Sequence, residues 1–171
     1  MKLLTFQAAR FAWKSAVAGL ADGADPPADD SSCDAVVVFA HAQLADVEPA
    51  ARERTMRHAV KHIKWLANKR QLKNVVLHSF THLGGAAAPA DFARAWLTEL
   101  ASKLESGGYA VKLTPFGWSC AWELSVFGES LAKVWKEIGP GDPPLPGAGE
   151  FPSPPSEGTA PPSGAGEFPS S

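Results

Sequence analysis

Thr114-Pro115-Phe116-Gly117-Trp118-Ser119-Cys120-Ala121-Trp122, together with Ser79-Phe80-Thr81-His82-Leu83, is the most telling part of this chain. Each segment follows a run of strand-forming residues. Val75-Val76-Leu77 precedes the first in chain order, and Tyr109-Ala110-Val111-Lys112-Leu113 precedes the second. His82, Ser119 and Cys120 therefore stand where a rigid strand hands over to a loop or to the next strand, a usual place for binding and catalytic groups.

The 171 residues suffice for one domain of ordinary size. No apolar run approaches the ~20 residues of a membrane span. The start, Met1-Lys2-Leu3-Leu4-Thr5-Phe6-Gln7, lacks the apolar stretch of a signal peptide. Two cysteines, Cys33 and Cys120, are too few for a disulfide scaffold, so reduced thiols and a cytoplasmic location are expected. The net charge of −2 hides a split. Residues 139–171 hold Asp142, Glu150, Glu157 and Glu167 and no Lys or Arg, giving −4. Residues 1–138 hold the other 14 acids against all 16 bases, giving +2. Any contact with RNA must then come from a local patch.

The segment 139–171 carries 10 of the 15 prolines and 7 of the 15 glycines, and Gly-Ala-Gly-Glu-Phe-Pro-Ser occurs in it twice, at 147–153 and 164–170. So little apolar surface does not offset ordering entropy, so a disordered tail is expected there. The duplicated Phe151 and Phe168 read either as short docking motifs or as a tolerated duplication.

Within residues 1–138, Lys2 to Phe6 reads as a strand, and Phe11 to Lys14 as a second one paired with it in a hairpin. Ala21 to Ser32 reads as an acidic loop, and Ala35-Val36-Val37-Val38-Phe39-Ala40 as a buried central strand. Met56, Ala59, Val60, Ile63, Leu66 and Ala67 make one helical stripe, with Pro49 near its start. Its other face carries Arg52, Arg54, Arg57, Lys61 and Lys64. A strand at Lys73–Leu77 follows, then a helix from about Ala90 to Glu105 with Phe92, Trp96, Leu97, Leu100 and Leu104 inward, stopped by Gly107-Gly108. Tyr109–Leu113 and Ala121–Val126 are the last strands. Leu131, Val134, Trp135 and Ile138 suggest a short closing helix. This order implies an α/β domain, a mixed β-sheet with packed helices.

Strand, Phe-Thr-His-Leu at 80–83, helix, strand, then Pro-Phe-Gly-aromatic at 115–118 resembles the editing domain of archaeal-type threonyl-tRNA synthetase. The resemblance spans roughly residues 1–138 and implies the D-aminoacyl-tRNA deacylase-like fold. It implies a free-standing, trans-acting aminoacyl-tRNA hydrolase that removes serine from mischarged tRNA(Thr), without a cofactor and often as a homodimer. Threonyl-tRNA synthetase is then a further expected partner. The need for such an enzyme is physical: a threonine pocket rejects serine by only ~1–3 kcal/mol, the worth of one methyl group. The implied mechanism is substrate-assisted, the terminal adenosine's 2′-hydroxyl positioning the attacking water. Main-chain groups of Phe80-Thr81-His82, of Phe116-Gly117-Trp118 and near Phe39 to Ala42 would hold the substrate. His82 would orient water or substrate, Ala93 would line the pocket, and Trp118 would stack on the adenine.

The chain departs from the family at one point of chemistry. Where the family has Tyr-Tyr-Lys after Phe-Gly, this chain has Trp118-Ser119-Cys120, and a family glutamate in the closing helix is replaced by Lys133. Three readings follow: a deacylase in which Lys133 returns the positive charge, a deacylase for another mischarged or D-aminoacyl tRNA, or a non-catalytic tRNA- or synthetase-binding module. Cys120 is a weaker alternative as nucleophile, since a thiolate needs a depressed pKa that a neighbouring Lys133 would have to supply. Arg54, Arg57 and Lys61 are candidate tRNA contacts, against the plainer reading of a solvated face. His58 and His62 have ligand-compatible spacing, but the surrounding lysines disfavour a metal. His41 and His78 read as packing residues.

Overall fold

The computed structural model describes residues 1–139. The expected tail lies outside the described residues. Strand β1 (Lys2–Ala18) pairs antiparallel with β2 (Asp29–His41), whose register runs from Lys2 opposite His41 to Lys14 opposite Asp29. Helix α1 (Pro49–Lys69) returns the chain to β3 (Asn74–Ser79), parallel to β2. Helix α2 (Ala90–Glu105) returns it to β4 (Ala110–Leu113), parallel to β3. β5 (Trp118–Val126) then runs back along β1, and the sheet order is β4-β3-β2-β1-β5. The final strand, β6 (Lys133–Glu137), also pairs with β1.

Both helices pack on one face of the sheet. Met56, Ala59, Ile63 and Leu66 of α1 and Trp96, Leu97, Leu100 and Leu104 of α2 close over Leu3, Val36, Val38, Val75 and Leu77. Each such aliphatic side chain contributes about 1.5–3 kcal/mol through burial. Phe92 packs against this core only partly buried. On the opposite face Ala8, Phe11, Trp13, Ala35, Val37, Phe39 and Val76 form a second cluster. Phe39 is its centre, with ring centroids 5.7 Å from Phe6, 5.2 Å from Phe80, 5.5 Å from Trp122 and 4.9 Å from His78.

Three elements differ from the sequence reading. The first two strands are one strand of 17 residues, with no hairpin between them. The change of face that suggests two strands is an irregularity instead. The ladder to β5 slips between Ala8 and Arg10, and Asp34 of β2 takes a positive φ of 46°. Leu3 therefore joins the helix-side core, whereas Phe11 and Trp13 join the opposite cluster. The loop is also shorter than expected, because β2 already begins at Asp29.

The closing helix is absent. Ser130–Ala132 is a single 3-10 turn, and Lys133 to Glu137 is a strand opposite Phe6 to Lys2. β5 pairs with β1 only from Ala8 onward, which leaves the first half of that edge unpaired. Five residues make too short a helix to be stable alone, but they can satisfy an open strand edge.

Candidate active site

A cavity of about 410 Å³ opens where β3 and β4 end, at the carboxyl ends of parallel strands, as is usual for ligand sites in α/β sheets. His78, Ser79, Phe80, Thr81 and His82 line it from the end of β3. Ala88, Ala90 and Ala93 line it from the start of α2, and Phe116, Gly117, Trp118, Ser119, Cys120 and Trp122 from the β4–β5 turn and β5. Gly19 and Leu20, just after β1, complete the wall. Ser79 to His82 and Phe116 to Cys120 thus line a single space. No Asp, Glu, Lys or Arg is among these lining residues.

Main-chain hydrogen bonds position each wall. The Phe80 N–H donates to the Ala40 carbonyl at 2.9 Å, and the Thr114 N–H to the Leu77 carbonyl at 3.0 Å. The Gly117 carbonyl accepts from the N–H groups of Gly19 at 2.7 Å and Leu20 at 3.2 Å. Asp25 ties the turn together. Its carboxylate accepts from the Phe116 N–H at 2.8 Å and pairs with Arg94 of α2. Its carbonyl accepts from Trp118 Nε1 at 2.7 Å, and the Arg94 guanidinium lies 4.6 Å from the centre of the Phe116 ring. Partial burial works to raise the Asp25 pKa, but the bonds from Arg94 and Phe116 outweigh it and hold the carboxyl below its ordinary value. Asp25 carries no motif, which is why sequence reasoning misses it.

His78 is the other missed residue. It stands two positions before Phe80 on the same face of β3, and its Nδ1 is 2.7 Å from Thr114 Oγ1. The ring is 5% exposed, and burial lowers its pKa to about 4. Burial, helped by Lys136, lowers His62 to about 4 as well. Both are neutral at neutral pH, whereas in an unfolded chain they titrate near pH ~6.5. On acidification the unfolded state takes up these protons first, so stability is expected to fall from about pH 6.5 down to about pH 4. At ~1.4 kcal/mol per unit, each residue accounts for at most about 3.5 kcal/mol over that window. Denaturant midpoints measured across it check this, and a His62→Gln variant is expected to show about half the slope. A flat profile would contradict the burial of both rings.

The remaining sequence candidates divide. Cys120 lines the cavity, but burial, with some help from Asp29, pushes its thiol pKa up rather than down. Lys133 is not beside it. Cys120 lies opposite Ser15 of β1 and Lys133 opposite Phe6, nine residues away along that strand. That is roughly 30 Å of strand contour. The expectation that an ammonium returns to the pocket through Lys133 is therefore corrected: the helix that would have carried it inward is a strand on the far part of the sheet edge. The segment near Phe39 to Ala42 does not line the cavity either, because the Ala40 and Ala42 carbonyls accept from the N–H groups of Phe80 and Ala88. His41 is fully buried, with neither ring nitrogen hydrogen-bonded.

Arg57 and Lys61 line a second depression, on the outer faces of α1 and α2. Arg54 lies outside it, half-buried, its Nε without a partner. No group of three or more His, Cys, Asp and Glu among the described residues is arranged to hold a metal. No helix among them is long and apolar enough to cross a membrane.

Comparison with known proteins agrees with this architecture. The family model of the archaea-specific editing domain of threonyl-tRNA synthetase matches residues 1–138. The threonine–tRNA ligase of Methanosphaerula palustris is 31% identical over 119 residues, which are 69% of this chain and 19% of that ligase. That of Thermofilum pendens is 26% identical over 153 residues, 88% of this chain and 25% of the ligase. The chain thus spans about a fifth to a quarter of the ligases it matches. Among solved structures, the c-Myc DNA Unwinding Element Binding Protein superposes with a TM-score of 0.56 at 14% identity, covering 81% of this chain and 99% of that one. The latter likeness concerns the fold, which is of the D-aminoacyl-tRNA deacylase-like α/β type. With the family model matched over residues 1–138 and those residues folded around a cavity between Phe80–His82 and Phe116–Cys120, the chain belongs to the archaeal editing domains of threonyl-tRNA synthetase.

Proposed function

We propose that this chain is a trans-acting deacylase that hydrolyses the ester between an amino acid and the terminal adenosine of a mischarged tRNA, with seryl-tRNA(Thr) as the first candidate substrate. The observation that carries this reading is the cavity itself: it is open at the strand ends, sized for a nucleoside with a small acyl group, and lined by no charged side chain. A site of that kind offers shape and main-chain dipoles, not an acid–base pair. His78 is neutral and tied to Thr114, and the Cys120 thiol is held in its protonated form. The proton-handling group nearest the ester is then the substrate's own 2′-hydroxyl. Water adds to the carbonyl carbon, the bond from that carbon to the ribose oxygen breaks, and the proton passes to the leaving oxygen. The products are free serine and uncharged tRNA.

His82 is exposed at the cavity rim, its ring 5.2 Å from Phe80, where an imidazole can orient water. Trp118, its indole N–H anchored to the Asp25 carbonyl, offers a fixed plane for the adenine. Ala93, Thr81 and Ser119 form the rest of the acyl surround. The test is a panel of charged tRNAs, including Ser-tRNA(Thr), Thr-tRNA(Thr) and a D-aminoacyl ester, with release of the amino acid as readout. Serine is expected to be released fastest. If no ester is cleaved but tRNA is still retained, the non-catalytic binding module becomes the correct reading.

The basic face of α1 suits the tRNA phosphates, and a homodimer remains the expected assembly by resemblance. In an Arg57→Glu/Lys61→Glu variant, tRNA affinity is expected to fall about tenfold or more, and the salt dependence of binding to lose about two units of slope. Unchanged salt dependence would return this face to ordinary solvation.

A further inference from the structure

The depression on the outer faces of α1 and α2 has a volume of about 1170 Å³, well beyond the cavity at the strand ends. Its floor is apolar, formed by Met56, Val60 and Trp65, while its lining carries six Lys and Arg against Glu53 and Glu99, a balance of +4. A polyanion alone has no use for the apolar floor, and an apolar peptide alone has no use for the basic rim.

This chain contains a segment with both properties. Residues 140–171 hold Asp142, Glu150, Glu157 and Glu167 with no Lys or Arg, a balance of −4. Their only aromatic residues are Phe151 and Phe168, and each directly follows a glutamate in the two copies of Gly-Ala-Gly-Glu-Phe-Pro-Ser. Each copy therefore presents one ring to a floor and one carboxylate to a rim.

Ile138, near the end of the described residues, lies close to the start of α1, which the groove reaches at Pro49. The Ile138 carbonyl accepts from the Met1 amine at 3.1 Å, and that amine is 2.8 Å from Asp46 Oδ1. Asp46 is three residues from Pro49, which lines the groove at the start of α1. From Ile138 to Phe151 is 13 residues and to Phe168 is 30, so an extended connection reaches at most about 45 Å and about 100 Å. The 21 residues of α1 measure about 31 Å, so both phenylalanines reach its whole length. Tethering at this distance gives effective concentrations on the order of millimolar, enough for a weak motif to stay engaged.

We infer that the acidic C-terminal segment docks into the groove between α1 and α2, with Phe151 or Phe168 on the floor of Met56, Val60 and Trp65 and the adjoining Glu150 or Glu167 at Arg57, Lys61 or Lys64. The inference does not depend on the deacylase reading. Where that reading holds, the segment competes with RNA phosphates for Arg57 and Lys61.

The test places the photo-crosslinker benzoylphenylalanine at position 151 or 168 of the full chain. Isotopically light and heavy chains are mixed before irradiation, and adducts are mapped by mass spectrometry. Adducts are expected on residues 56–65 within a single chain. They are expected to fall about fivefold or more in Val60→Glu and, leaving the folded domain untouched, in Glu150→Lys/Glu167→Lys. Adducts scattered over the domain overturn the proposal. Adducts joining light to heavy chains also overturn it, with a second copy as the occupant. No groove adducts, combined with weaker tRNA binding in Arg57→Glu/Lys61→Glu, overturn it in favour of RNA.

Discussion

Replacing the terminal adenosine's 2′-hydroxyl by hydrogen is expected to lower kcat for ester hydrolysis about 10²–10³-fold, with KM nearly unchanged. The expectation comes from what surrounds the cavity. None of its lining side chains carries a formal carboxylate, ammonium or guanidinium, and its buried imidazole is neutral. Its thiol is a poor nucleophile, because burial favours the uncharged form. With no carboxylate or ammonium in position to carry the proton, and His82 at the exposed rim, removal of the hydroxyl takes away the group best placed to do so. Cys120→Ala and Lys133→Ala are expected to stay within about twofold of wild type, the first because the thiolate is scarce and the second because of its place on β6. His82→Ala is expected to be intermediate, since the imidazole orients and does not carry the reaction alone. Full turnover of the 2′-deoxy substrate, with loss of activity in Cys120→Ala, would establish covalent catalysis and remove the substrate-assisted mechanism.

Gly117→Val is expected to cost about 2–4 kcal/mol of stability, a drop in Tm of roughly 10 °C, and to abolish turnover even below the new Tm. Gly117 has a φ of +82°, where a side chain is strained. A Cβ there would also lie 3.0 Å from Leu20 Cδ1 and 3.1 Å from the Ala24 Cα, so a β-branched residue must displace the 19–25 loop. That loop carries Asp25, which fixes the Phe116 N–H and the Trp118 indole. One substitution thus releases two sides of the cavity. Thermal melts and turnover measured on the same protein check this. A variant that melts like wild type and still hydrolyses ester would show that the turn does not shape the site. Asp25→Ala is expected to reproduce the loss of turnover with a smaller fall in Tm, because it removes the tie without the clash.

Much of the frame is legible in the chain. The stripe from Met56 to Ala67 and that from Phe92 to Leu104 are long and periodic, and each appears as one helix with that face inward, apart from the partly exposed Val60 and Phe92. The unbroken run Val36-Val37-Val38-Phe39 lies in the central part of the sheet. In such elements local pattern and tertiary packing favour the same conformation, so neighbours along the chain are sufficient information. The cavity's walls at Phe80–His82 and Phe116–Cys120 are likewise signalled by strand ends and by the family resemblance. His78 and Asp25 are not, because nothing in their immediate neighbours marks what they touch.

Taken alone, the amino-acid order determines the two helices, the apolar central strand and the strand-end position of His82 and Gly117, since each depends on residues a few positions apart. Only the tertiary structure decides that Lys133 to Glu137 extend along β1, that the strand beginning at Lys2 continues to Ala18, and that Arg94 clamps Asp25 against the Phe116 turn. Those outcomes depend on an open strand edge and on partners up to 135 positions away, as between Lys2 and Glu137. A five-residue segment with no strong preference of its own takes the conformation that satisfies the nearest unpaired backbone.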